Sequence, residues 1–526
     1  MHSSASSVQR GEFQNEVPVD VSKPENRKAA DEALALVAGQ LGREYPLIIG
    51  GEKFTTSEKM CSMNPARPDQ VIGVFQKATV ELANQAIEAA AKAFERWKYV
   101  VVEERVACVF RAAEIMRRRK FELEAWLCYE IGKTFPEADG DVAELIDFAE
   151  YYGREMLRLG APQTLVPIRG EKNRMYYIPL GVGVVIPPWN FAAAIMGGMT
   201  LASIVAGNTA VVKPSMDSPT IAAIFVDILY EAGVPRDVVS FLPGPGSTAG
   251  DALVKHPKTR YIAFTGSKEV GLRISEQAAH TQPGQAWIKR TVLEMGGKDA
   301  IIVDDEADLD AAVEGVASAA FGFSGQKCSA CSRAIVTEKV YDRFLEKLVP
   351  RVKSITVGSP TDAKNFMGPV INKAAMKSIL DYIEVGKKEG RVIAGGGAVG
   401  GDAGGYFIQP TVIADVSPRA RIFQEEIFGP VLAVTKARDF DDALRMANDT
   451  EFGLTGAVYS ENPEKLEKAQ QDFHVGNLYL NRKCTGAVCG VHPFGGFNMS
   501  GTDSKSGGPD YLLLFLQAKT ISEKIK

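Results

Sequence analysis

Residues 181–215 read GVGVVIPPWNFAAAIMGGMTLASIVAGNTAVVKPS, and this stretch decides the fold. Short β-branched runs, first GVGVVIPP and then NTAVVKPS, alternate with segments of helix length. The alternation continues to residue 267 through TIAAIFVDILYEAG, VVSFLPG and YIAFTGS. It predicts a parallel sheet with crossover helices, and such sheets bind ligands beyond the carboxyl ends of their strands.

The rest of the chain shows other periodicities around that sheet. Residues 79–160 repeat apolar positions three and four apart, which predicts a layer of helices. Residues 300–490 alternate again and predict a second α/β unit, with the glycine-rich segment 394–405 as a surface loop between strands. Residues 1–45 hold one predicted helix, AADEALALVAGQL, and Gly50-Gly51 marks a turn between strands.

The composition excludes several classes of protein. A chain of 526 residues exceeds what one hydrophobic core usually organises, and 45% hydrophobic with 24% charged residues is an ordinary globular balance. The formal net charge is -5 and the basic residues are spread along the chain, so we expect no nucleic-acid partner. The sequence contains no run of about 18 apolar residues, so we expect no membrane span, and the N-terminus is too polar for a secretory signal. Seven cysteines are too sparse and odd in number for a disulfide framework, so we expect a cytoplasmic protein.

The usual dinucleotide-binding fingerprint, G-x-G-x-x-G, does not follow the predicted strands. Gly244-Pro245-Gly246 with Gly250 has one residue too many. In its place, FTGS (264–267) closes a strand, where it can offer N–H and hydroxyl donors to a pyrophosphate. Taken alone, FTGS is more typical of a glycine turn with a serine N-cap, and Lys213 is more typical of a solvated lysine at a strand end.

Chemistry concentrates at GQKCSAC (325–331), which follows the predicted helix DLDAAVEGVASAAFGF. Lys327 adjoins Cys328, and a nearby cation lowers the pKa of a thiol. Cys328 and Cys331 are also compatible with buried inert thiols, a redox pair or half of a zinc site, although a second CxxC is missing.

Two other segments offer groups that a thiol nucleophile needs. LEMGGK places Glu294 at a strand end among apolar and glycine residues, where a carboxylate with a raised pKa can act as a base. PPWNF places Asn190 after GVGVVI, where its amide can donate to an oxyanion.

Six segments occur in one order between Ile186 and Pro430: IPPWNF, VVKPS, FTGS, LEMGGK, GQKC and EEIFGP. In this combination the chain resembles the aldehyde dehydrogenase superfamily, from GGEKF near residue 50 to the C-terminus. The resemblance implies an α/β fold with two doubly wound parallel-sheet domains and a β-hairpin oligomerisation flap that includes the strand LLLFLQAKTIS. The implied boundaries are an N-terminal arm at 1–45, an NAD(P)-binding domain at 46–161 and 181–298, the flap at 162–180 and 506–526, and a catalytic domain at 299–505.

The resemblance also implies a two-stage covalent mechanism without a metal. The Cys328 thiolate attacks an aldehyde, and the oxyanion is held by the Asn190 amide and the Cys328 N–H. Hydride leaves to a nicotinamide, and Glu294 deprotonates the water that hydrolyses the resulting thioester.

NAD is the cofactor that the resemblance implies. The implied cofactor-binding positions are Ile186, Trp189, Lys213, Ser215, Met216, Gly246, Phe264, Gly266, Ser267, Glu426 and Phe428. Many relatives have an acidic residue three positions after the lysine, where it repels a 2'-phosphate. Met216 stands there instead, which removes a barrier to NADP.

A narrower resemblance lies in LGREYPLIIGGEKF, in GQKCSACSR and in residues 473–508. These segments are similar to family members that oxidise L-glutamate 5-semialdehyde to L-glutamate in proline degradation. The resemblance implies substrate contacts to the α-carboxylate, the aliphatic chain and the amino group. The carboxylate contacts are Lys327, Ser329, Gly486 and Ala487, the chain contacts are Phe191 and Phe494, and Glu137 faces the amino group.

The same resemblance implies a homo-oligomer, either a dimer or an assembly of dimers, with a small-molecule substrate. It also leaves room for transient contact with a proline dehydrogenase. Two alternatives stay open, namely a dehydrogenase for another semialdehyde and a catalytically silent structural relative. A silent relative would be expected to have lost Cys328, Glu294 or Asn190, and all three are present.

Overall fold

We describe the chain from a computed structural model, in which residues 11–400 and 404–525 are described. The first ten residues of the predicted arm, residues 401–403 of the glycine-rich segment and residue 526 of the predicted flap lie outside these ranges. None of the described helices is at once long and apolar enough to cross a lipid bilayer.

The helices follow the predicted periodicities. Several begin at a side chain that accepts a backbone N–H, as Thr79, Ser267 and Asp308 do, and such N-caps satisfy otherwise unpaired donors. The α-helices are α1 (Pro24–Ala38), α2 (Val80–Trp97), α3 (Val102–Arg118), α4 (Lys120–Ile131), α5 (Phe135–Gly160), α6 (Ala194–Val205), α7 (Pro219–Glu231), α8 (Asp251–Lys255), α9 (Lys268–Ala279), α10 (Leu309–Phe321), α11 (Tyr341–Lys353), α12 (Lys373–Glu389), α13 (Arg421–Gln424), α14 (Phe440–Asn448) and α15 (Pro463–Asp472). A π-helical turn spans Gly246–Gly250, and 3-10 turns span Gly322–Gly325, Glu338–Val340 and Tyr511–Phe515.

The strands, in chain order, are β1 (Arg43–Tyr45), β2 (Leu47–Ile49), β3 (Glu52–Phe54), β4 (Lys59–Asn64), β5 (Arg67–Gln76), β6 (Glu171–Pro179), β7 (Val182–Ile186), β8 (Thr209–Val212), β9 (Val239–Phe241), β10 (Thr259–Thr265), β11 (Arg290–Glu294), β12 (Asp299–Val303), β13 (Cys331–Thr337), β14 (Arg391–Ala394), β15 (Thr411–Ala414), β16 (Val431–Ala437), β17 (Phe452–Gly453), β18 (Thr455–Tyr459), β19 (Asn477–Leu480), β20 (Phe497–Asn498) and β21 (Leu516–Lys524).

The first large sheet has the order β11-β10-β7-β8-β9-β2-β3. The five strands from β11 to β9 are parallel, as the opening stretch predicts, and β2 and β3 add an antiparallel edge joined at the predicted Gly50-Gly51 turn. The parallel part of this sheet begins in the chain at β7 and is extended first by β8 and β9 on one side and then by β10 and β11 on the other, so a topological switch point lies between β7 and β10. There Ile186 is in register with Phe264, and Thr265 is in register with Glu294. The sheet therefore brings the ends of three predicted motifs together.

The second large sheet has the order β14-β15-β16-β13-β12-β18-β19 and is parallel except for β14. Its core strands are fully buried, since β12 and β18 expose none of their residues to a substantial degree. The two sheets confirm the prediction of two α/β units, each with helices against both faces. A smaller sheet, β1-β5-β4, lies beside the helical layer. The exact domain boundaries stay predictions.

The predicted flap differs from a hairpin. β6 pairs with β21 along nine antiparallel positions, from Leu516 opposite Pro179 to Lys524 opposite Glu171. These strands come from distant parts of the chain, so they form a ribbon without a tight turn. The prediction of one strand over LLLFLQAKTIS is wrong in its first part, where Tyr511–Phe515 is a 3-10 turn. Leu512 and Phe515 of this turn both pack into the hydrophobic core.

Candidate active site

The loop that carries Cys328 is held in an unusual backbone conformation. After α10, Phe323 and Ser324 both have positive φ values, of 49° and 57°. The Ser324 hydroxyl donates to the Gly368 carbonyl at 2.8 Å, and a Cβ at Gly325 would lie 2.2 Å from the Gly429 carbonyl oxygen. Neighbouring backbone therefore fixes this turn from several directions, which favours a preorganised nucleophile.

Cys328 lies where two cavities meet. A cavity of about 410 Å³ and another of about 530 Å³ both include Cys328 and Thr265 in their walls. Every predicted cofactor-binding residue lines the larger cavity, together with Asn190. Every predicted substrate-binding residue lines the smaller cavity, together with Glu294. The structure thus brings the predicted residues together in two groups, one on each side of the same sulfur.

Glu294 ends β11 and faces the smaller cavity. Burial raises the pKa of its carboxyl to about 8, although the Ser504 hydroxyl donates to Oε1 and favours the ionised form. The other oxygen, Oε2, has no hydrogen-bond partner among the described residues. A carboxyl with this pKa and a free oxygen has the properties that the sequence predicted for a general base.

The Cys328 thiol differs from the prediction. Burial raises its pKa well above the usual range, and the carboxylates of Asp299, Glu426 and Glu294 raise it further. The adjacent Lys327 pairs instead with Glu137, with 2.7 Å between Nζ and Oε2. The thiol is therefore protonated in this state, and a reaction needs either a proton acceptor or an added positive charge beside it.

Asn190 occupies a position suited to an oxyanion. Its side chain is 4% exposed, and Nδ2 donates one hydrogen to the Gln326 carbonyl at 3.0 Å. A side-chain amide carries two N–H donors, so one is left over for a ligand at Cys328. The contact with Gln326 also ties Asn190 to the loop of the nucleophile.

The two glycines of LEMGGK make room for neighbouring groups. A Cβ at Gly296 would lie 2.3 Å from Oε2 of Glu426, and a Cβ at Gly297 would lie 2.4 Å from the Cys328 carbonyl. The Gly297 N–H donates to Oε1 of Glu426 at 3.0 Å. These glycines therefore let Glu426 and Cys328 approach one another at the rim of the larger cavity.

The larger cavity fits a dinucleotide. Ser267 caps α9, and the N–H groups of Lys268 and Glu269 have no acceptor among the described residues, so the positive end of a 12-residue helix faces the cavity near Gly266. Such a helix end suits a pyrophosphate. Lys213 donates to the carbonyls of Pro214 and Gly244 at 3.1 Å each, which leaves one of its three donors. Burial lowers the pKa of Lys213 to about 8.

Position 216 has no carboxylate, but the structure places the carboxylate of Asp217 in the same cavity, and this residue was not predicted. Met216 is 38% exposed, while the next residue, Asp217, lines the same cavity. Asn372 donates to Oδ1 of Asp217 at 3.1 Å, and burial raises the pKa of this carboxyl. Asp217 lies one position after the place where relatives have their acidic residue, and no sequence motif marks that position.

The smaller cavity contains groups of both charges. Nζ of Lys327 lies 2.7 Å from Oε2 of Glu137, so the predicted carboxylate ligand and the predicted ammonium acceptor pair with one another here. Gly486 and Ala487 also line this cavity, and their N–H groups have no acceptor among the described residues. The rings of Phe191 and Phe494 form part of the apolar wall of this cavity.

A second ion pair, whose acidic member Asp141 lines the smaller cavity, was not predicted. Lys133 and Asp141 are both fully buried, with 2.8 Å between Nζ and Oδ2. Nζ of Lys133 also lies 4.2 Å from the centre of the Phe191 ring, and the Ala194 N–H donates to Oδ1 of Asp141. Glu144, one turn later on α5, lines the cavity, and burial raises the pKa of its carboxyl to about 8. Glu137, Asp141 and Glu144 are spaced i, i+4 and i+7 along α5, and this spacing could have predicted that the three carboxyls share one face of the helix.

Comparisons with known proteins agree with this arrangement. A family model described as the aldehyde dehydrogenase family matches residues 53–521. A curated relative named 1-pyrroline-5-carboxylate dehydrogenase, from Geobacillus sp. (strain WCH70), is 57% identical over 97% of this chain and 99% of its own length.

Two solved structures are also similar. A 1-pyrroline-5-carboxylate dehydrogenase from Thermus with bound NAD has a TM-score of 0.96 and 51% identity, over 98% of this chain and 100% of that one. Proline utilization A from Bdellovibrio bacteriovorus has a TM-score of 0.96 and 44% identity, and the match covers 98% of this chain but 54% of that longer one.

Proposed function

Because the chain belongs to the aldehyde dehydrogenase family, we propose that it oxidises L-glutamate 5-semialdehyde to L-glutamate with NAD as the hydride acceptor. This semialdehyde is the open form of 1-pyrroline-5-carboxylate, the compound in the names of the Geobacillus and Thermus relatives.

The observation that carries the proposal is the charge pattern of the smaller cavity. The substrate is a zwitterion with a carboxylate and an ammonium at one end and an aldehyde at the other. Lys327 and the free N–H groups of Gly486 and Ala487 suit the carboxylate, and Glu137 suits the ammonium. Binding then replaces the Lys327–Glu137 pair with two pairs, so neither of these half-buried charges is left without a partner.

The aldehyde end would reach Cys328. The Cys328 thiol first releases its proton to solvent water, a loss that the positive charge of a bound nicotinamide ring would favour. The thiolate then adds to the carbonyl carbon, and the free N–H of Asn190 and the Cys328 N–H stabilise the negative charge that forms on oxygen. Bound NAD, held by Lys213, Ser267 and the start of α9, supplies the hydride acceptor. The acyl group then remains on the sulfur as a thioester until Glu294 takes a proton from the water that hydrolyses it.

NAD rather than NADP is the coenzyme that this cavity favours. The 2'-phosphate of NADP is an anion, and the Asp217 carboxylate near Lys213 and Met216 would repel it. Asp217 thus compensates for the missing acidic residue at position 216.

We also propose three properties of the protein as a whole. The β6–β21 ribbon, in which β21 is largely exposed and β6 is largely half-buried, forms the contact between copies of a homo-oligomer. The similarity to proline utilization A supports transient contact with a proline dehydrogenase. The third property is a cytoplasmic location, which is supported by the fact that all seven cysteines are free thiols, as expected in a reducing compartment.

The test follows formation of reduced nicotinamide with glutamate semialdehyde and with propanal, which lacks both charged groups. We expect a far higher kcat/KM for the semialdehyde, and no activity in Cys328→Ala. Ser329→Ala should raise the KM for the semialdehyde and leave propanal unaffected.

Each alternative has its own result. Activity restricted to other aldehydes would leave the chemistry in place and refute the substrate. Inactivity toward all aldehydes would favour a catalytically silent relative. Equal losses on both substrates in Ser329→Ala would refute the carboxylate contact.

A further inference from the structure

The N-terminal segment 11–20 has no helix or strand but is tied to the protein by many specific contacts. The Glu16 N–H donates to Oδ1 of Asp147 at 2.7 Å, and the Val19 N–H donates to Oδ2 of Asp139 at 2.9 Å. The Phe13 ring packs edge-on against Tyr151 with 5.2 Å between centroids. The segment therefore lies along α5, which contributes Asp139, Asp147 and Tyr151.

Asn15 links this segment to a second element. Its Nδ2 donates to Oδ2 of Asp147 at 2.8 Å and to the Cys489 carbonyl at 2.9 Å, so both amide hydrogens are used. Asp147 is only 5% exposed, and the Glu16 N–H satisfies its other oxygen. A Cβ at Gly490 would lie 3.0 Å from the Phe13 ring, so the segment also packs against the next residue of the chain.

Residues 484–490, which we call the anchor loop, contain Gly486 and Ala487 of the smaller cavity. The loop is fixed at its start by the Cys484 thiol, which donates to the Ser329 carbonyl at 3.5 Å. At its end, the Gly490 N–H donates to the Gly507 carbonyl at 2.8 Å. Asn15 holds the Cys489 carbonyl between that end and Ala487. Gly486 and Gly490 both have positive φ, of 77° and 76°. Arg482 also donates to the carbonyls of Thr485 and Gly486, at 2.8 Å and 3.0 Å, so Asn15 is one of several contacts that set the path of the loop.

We propose that Asn15 is a positioning residue that keeps the anchor loop in the shape needed to bind the substrate carboxylate. The proposal rests on the proposed function, since it takes the carboxylate as the group bound by Gly486 and Ala487. Asn15 does not line the cavity, so it acts through the Cys489 carbonyl and not by contact with the substrate. Aldehydes without a carboxylate do not use these N–H groups and should not depend on Asn15.

The main test compares Asn15→Ala with the wild-type protein on glutamate semialdehyde and propanal. We expect the KM for the semialdehyde to rise about 5- to 30-fold, the factor that corresponds to a loss of about 1–2 kcal/mol. The kcat at saturation and the kcat/KM for propanal should stay within about twofold of wild type. Asn15→Asp should be more severe, because it loses both donors and places a second carboxylate against Asp147.

Asn26→Ala is the matched control. Asn26 also donates from Nδ2 to a backbone carbonyl, that of Asp20, but it lies at the start of α1 in an exposed position. It should leave both substrates unaffected.

A second measurement does not depend on the substrate. Amide hydrogen exchange of the peptide covering residues 484–490 should be faster in Asn15→Ala and unchanged in Asn26→Ala. Unchanged exchange in Asn15→Ala, or an equal rise of KM for both aldehydes, would overturn the positioning role. A wild-type protein that does not oxidise the semialdehyde would instead refute the proposed function, and the exchange result would still decide the role of Asn15.

Discussion

The raised pKa of Glu294 makes a quantitative prediction about pH. The group acts as a base only when it is ionised, and a raised pKa moves that ionisation to higher pH. With a pKa of about 8, roughly one side chain in eleven is ionised at pH 7 and half at pH 8. The rate of thioester hydrolysis should therefore fall about fivefold from pH 8 to pH 7 and about tenfold more by pH 6.

Ser504 provides a variant that moves this pH dependence in a known direction. Its hydroxyl donates to Oε1 of Glu294 and stabilises the ionised form. A hydrogen bond to a charged group contributes about 1.5–3 kcal/mol, so Ser504→Ala should raise the midpoint by about one to two pH units. Ser354→Ala removes an exposed hydroxyl that donates to the Arg351 carbonyl, and it serves as the control.

Rapid mixing separates the two chemical stages, because a burst of reduced nicotinamide reports acylation and the slower phase reports hydrolysis. The slow phase should show the pH dependence, and Glu294→Gln should abolish that phase. A slow phase that is flat between pH 6 and pH 9 would refute the assignment of the base. A Ser504→Ala midpoint at lower pH would refute the role of its hydroxyl.

Three further predictions concern other parts of the site. Asn190→Ala removes the oxyanion donor and should lower kcat about 10²- to 10³-fold with little change in KM, as steady-state kinetics would show. Asp217→Asn should raise the kcat/KM for NADP relative to NAD on the order of tenfold; an unchanged ratio would exclude this carboxylate as the selector. Lys133→Met leaves Asp141 buried without its cation and should lower the free energy of unfolding by about 3–5 kcal/mol in denaturant titrations. The exposed Lys377→Met should cost less than about 1 kcal/mol, and equal losses would contradict the assigned burial effect.

The sequence predicted the motif-bearing loops well because of a simple property of parallel sheets. Strands such as β7, β10 and β11 end at one edge, so segments that follow them must meet, as Ile186, Phe264 and Glu294 do. The glycines of LEMGGK carried the same kind of signal, because close packing at Glu426 leaves no space for a side chain.

Pairings between distant residues could not be predicted in this way. Lys327 and Glu137 are 190 positions apart, and nothing local indicates that each is the partner of the other. The Cys328 thiol was misjudged for the same reason, because the adjacent Lys327 is committed elsewhere and carboxylates from other segments surround the sulfur. The 3-10 turn at Tyr511–Phe515 reflects packing of Leu512 into the core, which overrides the apolar strand pattern.

The shared sulfur between two separate cavities has an evolutionary consequence. Apart from Thr265 and Cys328, the walls of the two cavities are made of different residues. A mutation that changes the wall of one cavity should therefore leave the wall of the other cavity largely unchanged. Selection can change the aldehyde that a descendant accepts while its coenzyme stays the same, or exchange the coenzyme for the same aldehyde, provided that the thiol between them is kept.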